Sequence, residues 1–127
     1  AFWAYDDNGE LDGSLLTEEQ WTLMGEGAVA LRDTALLLAA SEHFVVAAPG
    51  VDLGFEGNGF VPPEQVQANI DANPDGFRAM MEAFAAEADL AVTAVETRDA
   101  ALLVAQSDNL YNTCKGCHMA FWYPGQR

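Results

Sequence analysis

Apolar residues return at three- and four-residue steps along Trp21, Met24, Ala28, Leu31, Ala35 and Leu38. A repeat of that period commits a chain to an amphipathic helix with one buried stripe. The stripe runs to about Ser41, and a second set, Leu23, Ala30 and Leu37, widens it toward packing on more than one side. Its start is written in Thr17-Glu18-Glu19-Gln20, a capping box in which the Thr17 hydroxyl accepts from the Gln20 N–H while Gln20 reaches back. Leu16 and Trp21 stand where a hydrophobic staple clamps the entry. Gly25 and Gly27 inside this helix each cost about 1 kcal/mol relative to Ala. Close approach of a bound group, a second helix or a second subunit is therefore expected beside them.

The helical period recurs twice more. A third helix is predicted from about Gly76 to Val95, with Phe77, Met81, Phe84, Ala88, Ala91 and Val95 on one face. Glu96-Thr97-Arg98-Asp99 breaks it, with Thr97 as the expected N-cap of a fourth helix. That helix carries Leu103, Leu110, Cys114 and Cys117 on one face and ends near His118. Between Glu42 and Pro63, Pro49-Gly50, Gly54, Gly57, Gly59 and Pro62-Pro63 punctuate a long loop. Its Val45, Val46, Val51, Leu53, Phe55 and Phe60 are expected to lie on the bundle. Pro63 suits the first position of a short second helix, Glu64 to about Ala72, with Val66 and Ile70 inward. Asn73-Pro74-Asp75-Gly76 then ends one helix and starts the next. The economical architecture is a single all-α domain over residues 1–127: an antiparallel four-helix bundle with a short second helix and a long loop between helices 1 and 2.

Charge narrows the partners. Five Lys and Arg against 20 Asp and Glu leave a formal charge of −15. A face that binds DNA, RNA or an anionic membrane needs clustered cations, so those partners are excluded, and proteins with basic patches are favoured. The acidic residues, Glu18, Glu19, Glu26, Asp33, Glu82 and Glu87 among them, read as a solvated outer face. No run reaches the roughly 18–20 apolar residues of a membrane span; the longest is Ala35–Ala40. The chain opens on Ala1-Phe2-Trp3, which reads as a mature chain whose targeting segment has been removed.

The stretch that carries chemistry is Cys114-Lys115-Gly116-Cys117-His118, the covalent haem attachment pattern. Two thiols one helical turn apart can each add to a vinyl group on neighbouring pyrrole rings, and the adjacent imidazole can bind the iron as proximal ligand. A redox-active C-x-x-C pair is expected at a helix N-terminus, where the thiolate is stabilised; here it closes a helix. A zinc site needs four ligands, and only His43 and carboxylates could complete one. A disulfide across two intervening residues staples almost nothing. One covalent haem c, held by Cys114 and Cys117 with His118 on the iron, is the reading. Because such attachment takes place outside the bacterial cytoplasm, a periplasmic location is expected.

An all-helical chain of this length with one C-K-x-C-H near its C-terminus resembles the class II c-type cytochromes, the cytochrome c′ family. The resemblance rests on Phe77 to Phe121: the two-helix spacing from Phe77 to Cys114, then His118-Met119-Ala120-Phe121 with an aromatic three residues after the His. Where the family has a basic residue next, this chain has Trp122, and helix 2 is truncated. The resemblance implies that helix 1 covers the far face of the haem with either a ligating Met or a non-ligating apolar residue. Two registers follow. If the early part of helix 1 faces the end of helix 4, Met24 points at the iron as sixth ligand, and Gly25 and Ala28 give the ring space. If instead Val29-Ala30-Leu31-Arg32-Asp33-Thr34-Ala35-Leu36 is the family's helix 1 pattern, Arg32 pairs a haem propionate and Leu36 is the non-ligating distal residue. The resemblance also admits a homodimer.

The remaining candidates read more plainly. Met80 and Met81 are expected as core filler, and His43 as a solvated or capping residue. The aromatic head Phe2-Trp3-Tyr5 and tail Phe121-Trp122-Tyr123 either pack together over the haem edge or extend the core. The function expected is non-enzymatic: a periplasmic mono-haem electron carrier docking on a redox partner with a basic patch. A five-coordinate protein that binds or scavenges NO or CO is the alternative, and a haem-free dithiol protein a third.

Overall fold

The computed structural model describes residues 4–52 and 61–123. Four α-helices account for most of them: α1 over Glu18–Ala39, α2 over Pro63–Ala72, α3 over Pro74–Glu96 and α4 over Ala100–Cys117. α4 runs on into a short π-helical segment, His118–Trp122. Among the described residues no strand forms beyond an isolated antiparallel bridge between Tyr5 and Leu11. The all-α four-helix bundle with its short second helix is as expected. The loop between α1 and α2 contains residues 53–60, so Leu53, Phe55 and Phe60 lie outside the described residues, as do Phe2 and Trp3. Val46 packs against the bundle, whereas Val45 and Val51 are exposed.

The helix ends follow their local chemistry. Thr17 Oγ1 accepts from the Gln20 N–H at 3.2 Å and Gln20 Oε1 accepts from the Thr17 N–H at 2.9 Å, the reciprocal capping box. Leu16 and Trp21 are buried in one cluster, as a staple requires. α3 starts two residues earlier than expected because Pro74 supplies the preset first position and Asn73 caps it, accepting from the Gly76 N–H at 3.1 Å. Thr97 does not cap α4. It ends α3, its hydroxyl donating back to the Thr93 carbonyl, and Asp99 caps α4 by accepting from the Leu102 N–H at 2.9 Å. Between them Arg98 takes φ +57°, with Arg98 N–H on Val95 O and Asp99 N–H on Ala94 O. That is a Schellman reversal with an arginine where glycine is usual.

α3 is the central helix, packed on both α1 and α4. Small residues let the axes approach: Ala28, Ala35 and Ala39 of α1 and Ala85, Ala88, Ala91 and Ala94 of α3 are all buried. Gly25 belongs to the same seam, since Val95 Cγ1 lies 3.1 Å from where its Cβ would stand. At one end of the bundle Arg98 pairs with Glu18 and lies over the Trp21 ring at 5.3 Å. At the other end Arg78 donates to the carbonyls of Ala39 and, at 3.0 Å, Ser41. The start of α1 therefore meets the end of α3, and the end of α1 meets the start of α3. The tight reversal at 97–99 sends α4 back along α3, so α1 and α4 run parallel.

This direction corrects one expectation. An early α1 facing the end of α4 presupposes that those two helices are antiparallel. α2, at ten residues, spans only about 15 Å, too little to return the chain along α1. α3 makes the return instead. The end of α4 therefore sits beside the end of α1.

Candidate functional site

At that shared end lies an apolar cavity of about 220 Å3. α4 contributes Thr113, Cys114, Cys117 and His118; α3 contributes Met80, Met81 and Phe84; α1 contributes Leu31, Thr34, Ala35 and Leu38. The helical period explains the α4 group: Cys114 and Cys117 are one turn apart and His118 follows, so all three border one space. Cys114 and His118 are exposed and Cys117 is half-buried, and across the cavity Leu31 and Thr34 of α1 are exposed as well. Burial, reinforced by the neighbouring Cys114, pushes the Cys117 thiol above its ordinary pKa.

A second cluster fixes this end of α4. Phe121 is buried against Phe44 and Ile70, with Phe77, Met80 and Cys117 packed on them. The Phe77 ring meets Phe44 at 4.7 Å and Phe121 at 5.3 Å, both edge to face. α2 holds the arrangement from below. Asn69 Nδ2 donates to the Phe121 carbonyl at 2.7 Å, and Gln67 Nε2 donates to the Phe44 carbonyl at 2.8 Å while its Oε1 accepts from the Val46 N–H. The Trp122 ring stands edge-on to His118 at 5.1 Å and stacks on Tyr123 at 5.6 Å.

The other expected site residues are placed elsewhere. Met24 packs against the cluster of Ala4, Leu16, Trp21, Ala94, Val95, Ala100 and Leu103 at the opposite end of the bundle and does not border the cavity. Arg32 also points away. Its Nε donates to Asp33 Oδ1 at 2.9 Å and its Nη1 to Asp89 Oδ1 at 3.0 Å, and these bonds, Asp33 first, raise its pKa. Leu36 is exposed in the same groove as Arg32, Asp33 and Asp89. The half of α1 that faces the site is thus the one in the second register, but turned so that Leu31, Ala35 and Leu38 line it instead of Leu36. His43 is exposed and does not border the cavity.

Sequence reasoning set Met80 and Met81 aside as filler, and both border the cavity. The signal was present: Met81 shares a face with Phe77 and Phe84, one turn apart, but nothing in the sequence said that this face looks toward His118. The two cysteines are not joined to each other in a disulfide. Among the described residues no group of three or more His, Cys, Asp or Glu side chains gathers to hold a metal ion. A flat hydrophobic ring carrying its own iron fits what is present: nearly wholly apolar walls, two thiols and one imidazole.

The family model described as Cytochrome C' matches residues 20–122. Neither a curated protein nor a solved structure matches the chain.

Proposed function

The chain belongs to the cytochrome c′ family, with covalently bound haem c as its cofactor, and from that premise we propose that it is a periplasmic, non-enzymatic mono-haem electron carrier. Cys114 and Cys117 carry the two thioethers and His118 is the proximal iron ligand. Bound, the haem supplies a one-electron iron centre. The protein's part is to anchor the ring, exclude water from most of it with Ala35, Leu38 and Phe84, and leave one edge open to a partner. The observation that carries this reading is that Cys114 and His118 border the apolar cavity while themselves exposed, so a ring anchored there would lie within short reach of a docked protein. The formal charge of −15 favours a partner with a basic docking patch. No helix among the described residues is long and apolar enough to cross a membrane.

One observation favours the five-coordinate gas-binding reading. α1 meets the cavity with Leu31, Ala35, Leu38 and Thr34, a wall without a sulfur or nitrogen ligand. Absorption spectra of the ferrous protein with and without CO separate the two. A sharp low-spin α/β pair that CO leaves unchanged supports the carrier; a broad high-spin spectrum that shifts on CO supports the gas binder.

A further inference from the structure

We propose that Met81 of α3 is the sixth, axial ligand of the haem iron, opposite His118. The proposal rests on the electron-carrier reading and deepens it. Apart from the Cys-x-x-Cys-His residues, the cavity walls offer two soft donors, the thioethers of Met80 and Met81. Thr34 and Thr113 bring only neutral hydroxyls, which suit haem iron poorly beside a thioether. The two methionines are not equivalent. Met80 is packed into the Phe44, Ile70 and Phe121 cluster beneath α4, and moving it toward the ring would open a hole there. Met81 is half-buried, borders the cavity and belongs to none of the buried clusters of the described residues.

Consecutive helical positions are rotated by about 100°, so the two sulfurs leave α3 in different directions and cannot serve one point interchangeably. An unbranched side chain with three rotatable bonds can adjust its reach. Its mount is firm, because α3 is packed on both α1 and α4. Met24, the methionine on α1, is at the far end of the bundle. A His/Met pair also suits the function, since it raises the reduction potential of a c-type haem and closes the iron to gases.

The test compares the holoprotein with Met81→Leu, Met80→Leu and Met24→Leu by ferric and ferrous absorption, adding CO to the ferrous forms. Wild type is expected to be low-spin, unresponsive to CO, and to show the far-red ferric band of an iron–thioether bond. Met81→Leu is expected to lose that band, become high-spin and bind CO, while Met80→Leu keeps the iron–thioether band and Met24→Leu keeps the wild-type spectrum. Met81→His places a nitrogen in the same position and is expected to be low-spin without the thioether band. A Met81→Leu protein that keeps the band overturns the proposal and leaves the carrier reading standing; so does loss of the band in either other leucine variant alone, or a high-spin Met81→His. A wild type that is already high-spin and binds CO overturns the carrier reading itself.

Discussion

Two glycines of α1 sit in opposite circumstances. A Cβ on Gly25 would meet Val95 Cγ1 at 3.1 Å, whereas nothing lies within 4 Å of one on Gly27, which is exposed. Gly27→Ala removes backbone freedom from the unfolded chain without meeting a neighbour, so it should stabilise the protein by about 0.5–1 kcal/mol. Gly25→Ala gains the same backbone contribution but must displace Val95, and its gain should be smaller or reversed. Urea midpoints at unchanged slope decide both. Asp6 offers a residue-scale pH test. Its carboxylate accepts from the N–H groups of Glu10 at 2.8 Å and Asn8 at 2.9 Å, and the bond from Glu10 is the chief reason its pKa lies below 3.8. A lowered folded-state value means that its support of the 6–10 turn is complete above pH 3.8 and is lost as pH falls through the folded value. Carbon-detected NMR titration should place the Asp6 midpoint below 3.8, and Asp6→Asn should remove the effect.

Among the elements, α2 matters more than its ten residues suggest. Through Asn69 it holds the Phe121 carbonyl, and through Gln67 it holds the Phe44 loop, so the segment following His118 is braced from a different part of the chain. Asn69→Ala should cost about 1–3 kcal/mol, because it leaves a part-buried carbonyl without its donor. It should also speed amide exchange over His118–Trp122 more than over α1. The helices themselves were legible from apolar period and capping chemistry; Thr17, Pro63 and the 114–118 motif stand where expected. Thr97 was misread because two good capping residues lie two positions apart, and the backbone turn at Arg98 decides for Asp99. Met24 was misplaced for a different reason. Period and caps report which face of a helix is buried, not which way its neighbour runs. The shortness of α2 already held that answer: a helix of about 15 Å cannot retrace α1. Arg32 was drawn off by Asp33 and Asp89, and an acid 57 positions away in sequence gives no local sign of itself.

For the whole molecule the dominant quantity is a formal charge of −15. Encounter with a cationic redox protein is then steered over distances comparable to the Debye length, about 10 Å at 0.1 M salt and shorter above it. Stopped-flow electron transfer to such a partner should slow steeply with ionic strength, and transfer to an anionic one should quicken; a rate insensitive to salt would show that docking does not use this charge. The parallel course of α1 and α4 has an electrical consequence of its own. Both helices finish at the cavity end of the bundle, and α2 ends there too, against the start of α3, so three macrodipole termini worth roughly half a negative charge each point there, against one positive terminus from the start of α3. Leu38 and Cys117, both on the cavity wall, lie in those final turns. Such a field favours the ferric form and drags the midpoint potential downward, and Arg78, seated on the last carbonyls of α1, is the cation that offsets it. With the haem seated in the cavity as proposed, Arg78→Gln should therefore lower the potential measured by redox titration, because the helices stop where they do.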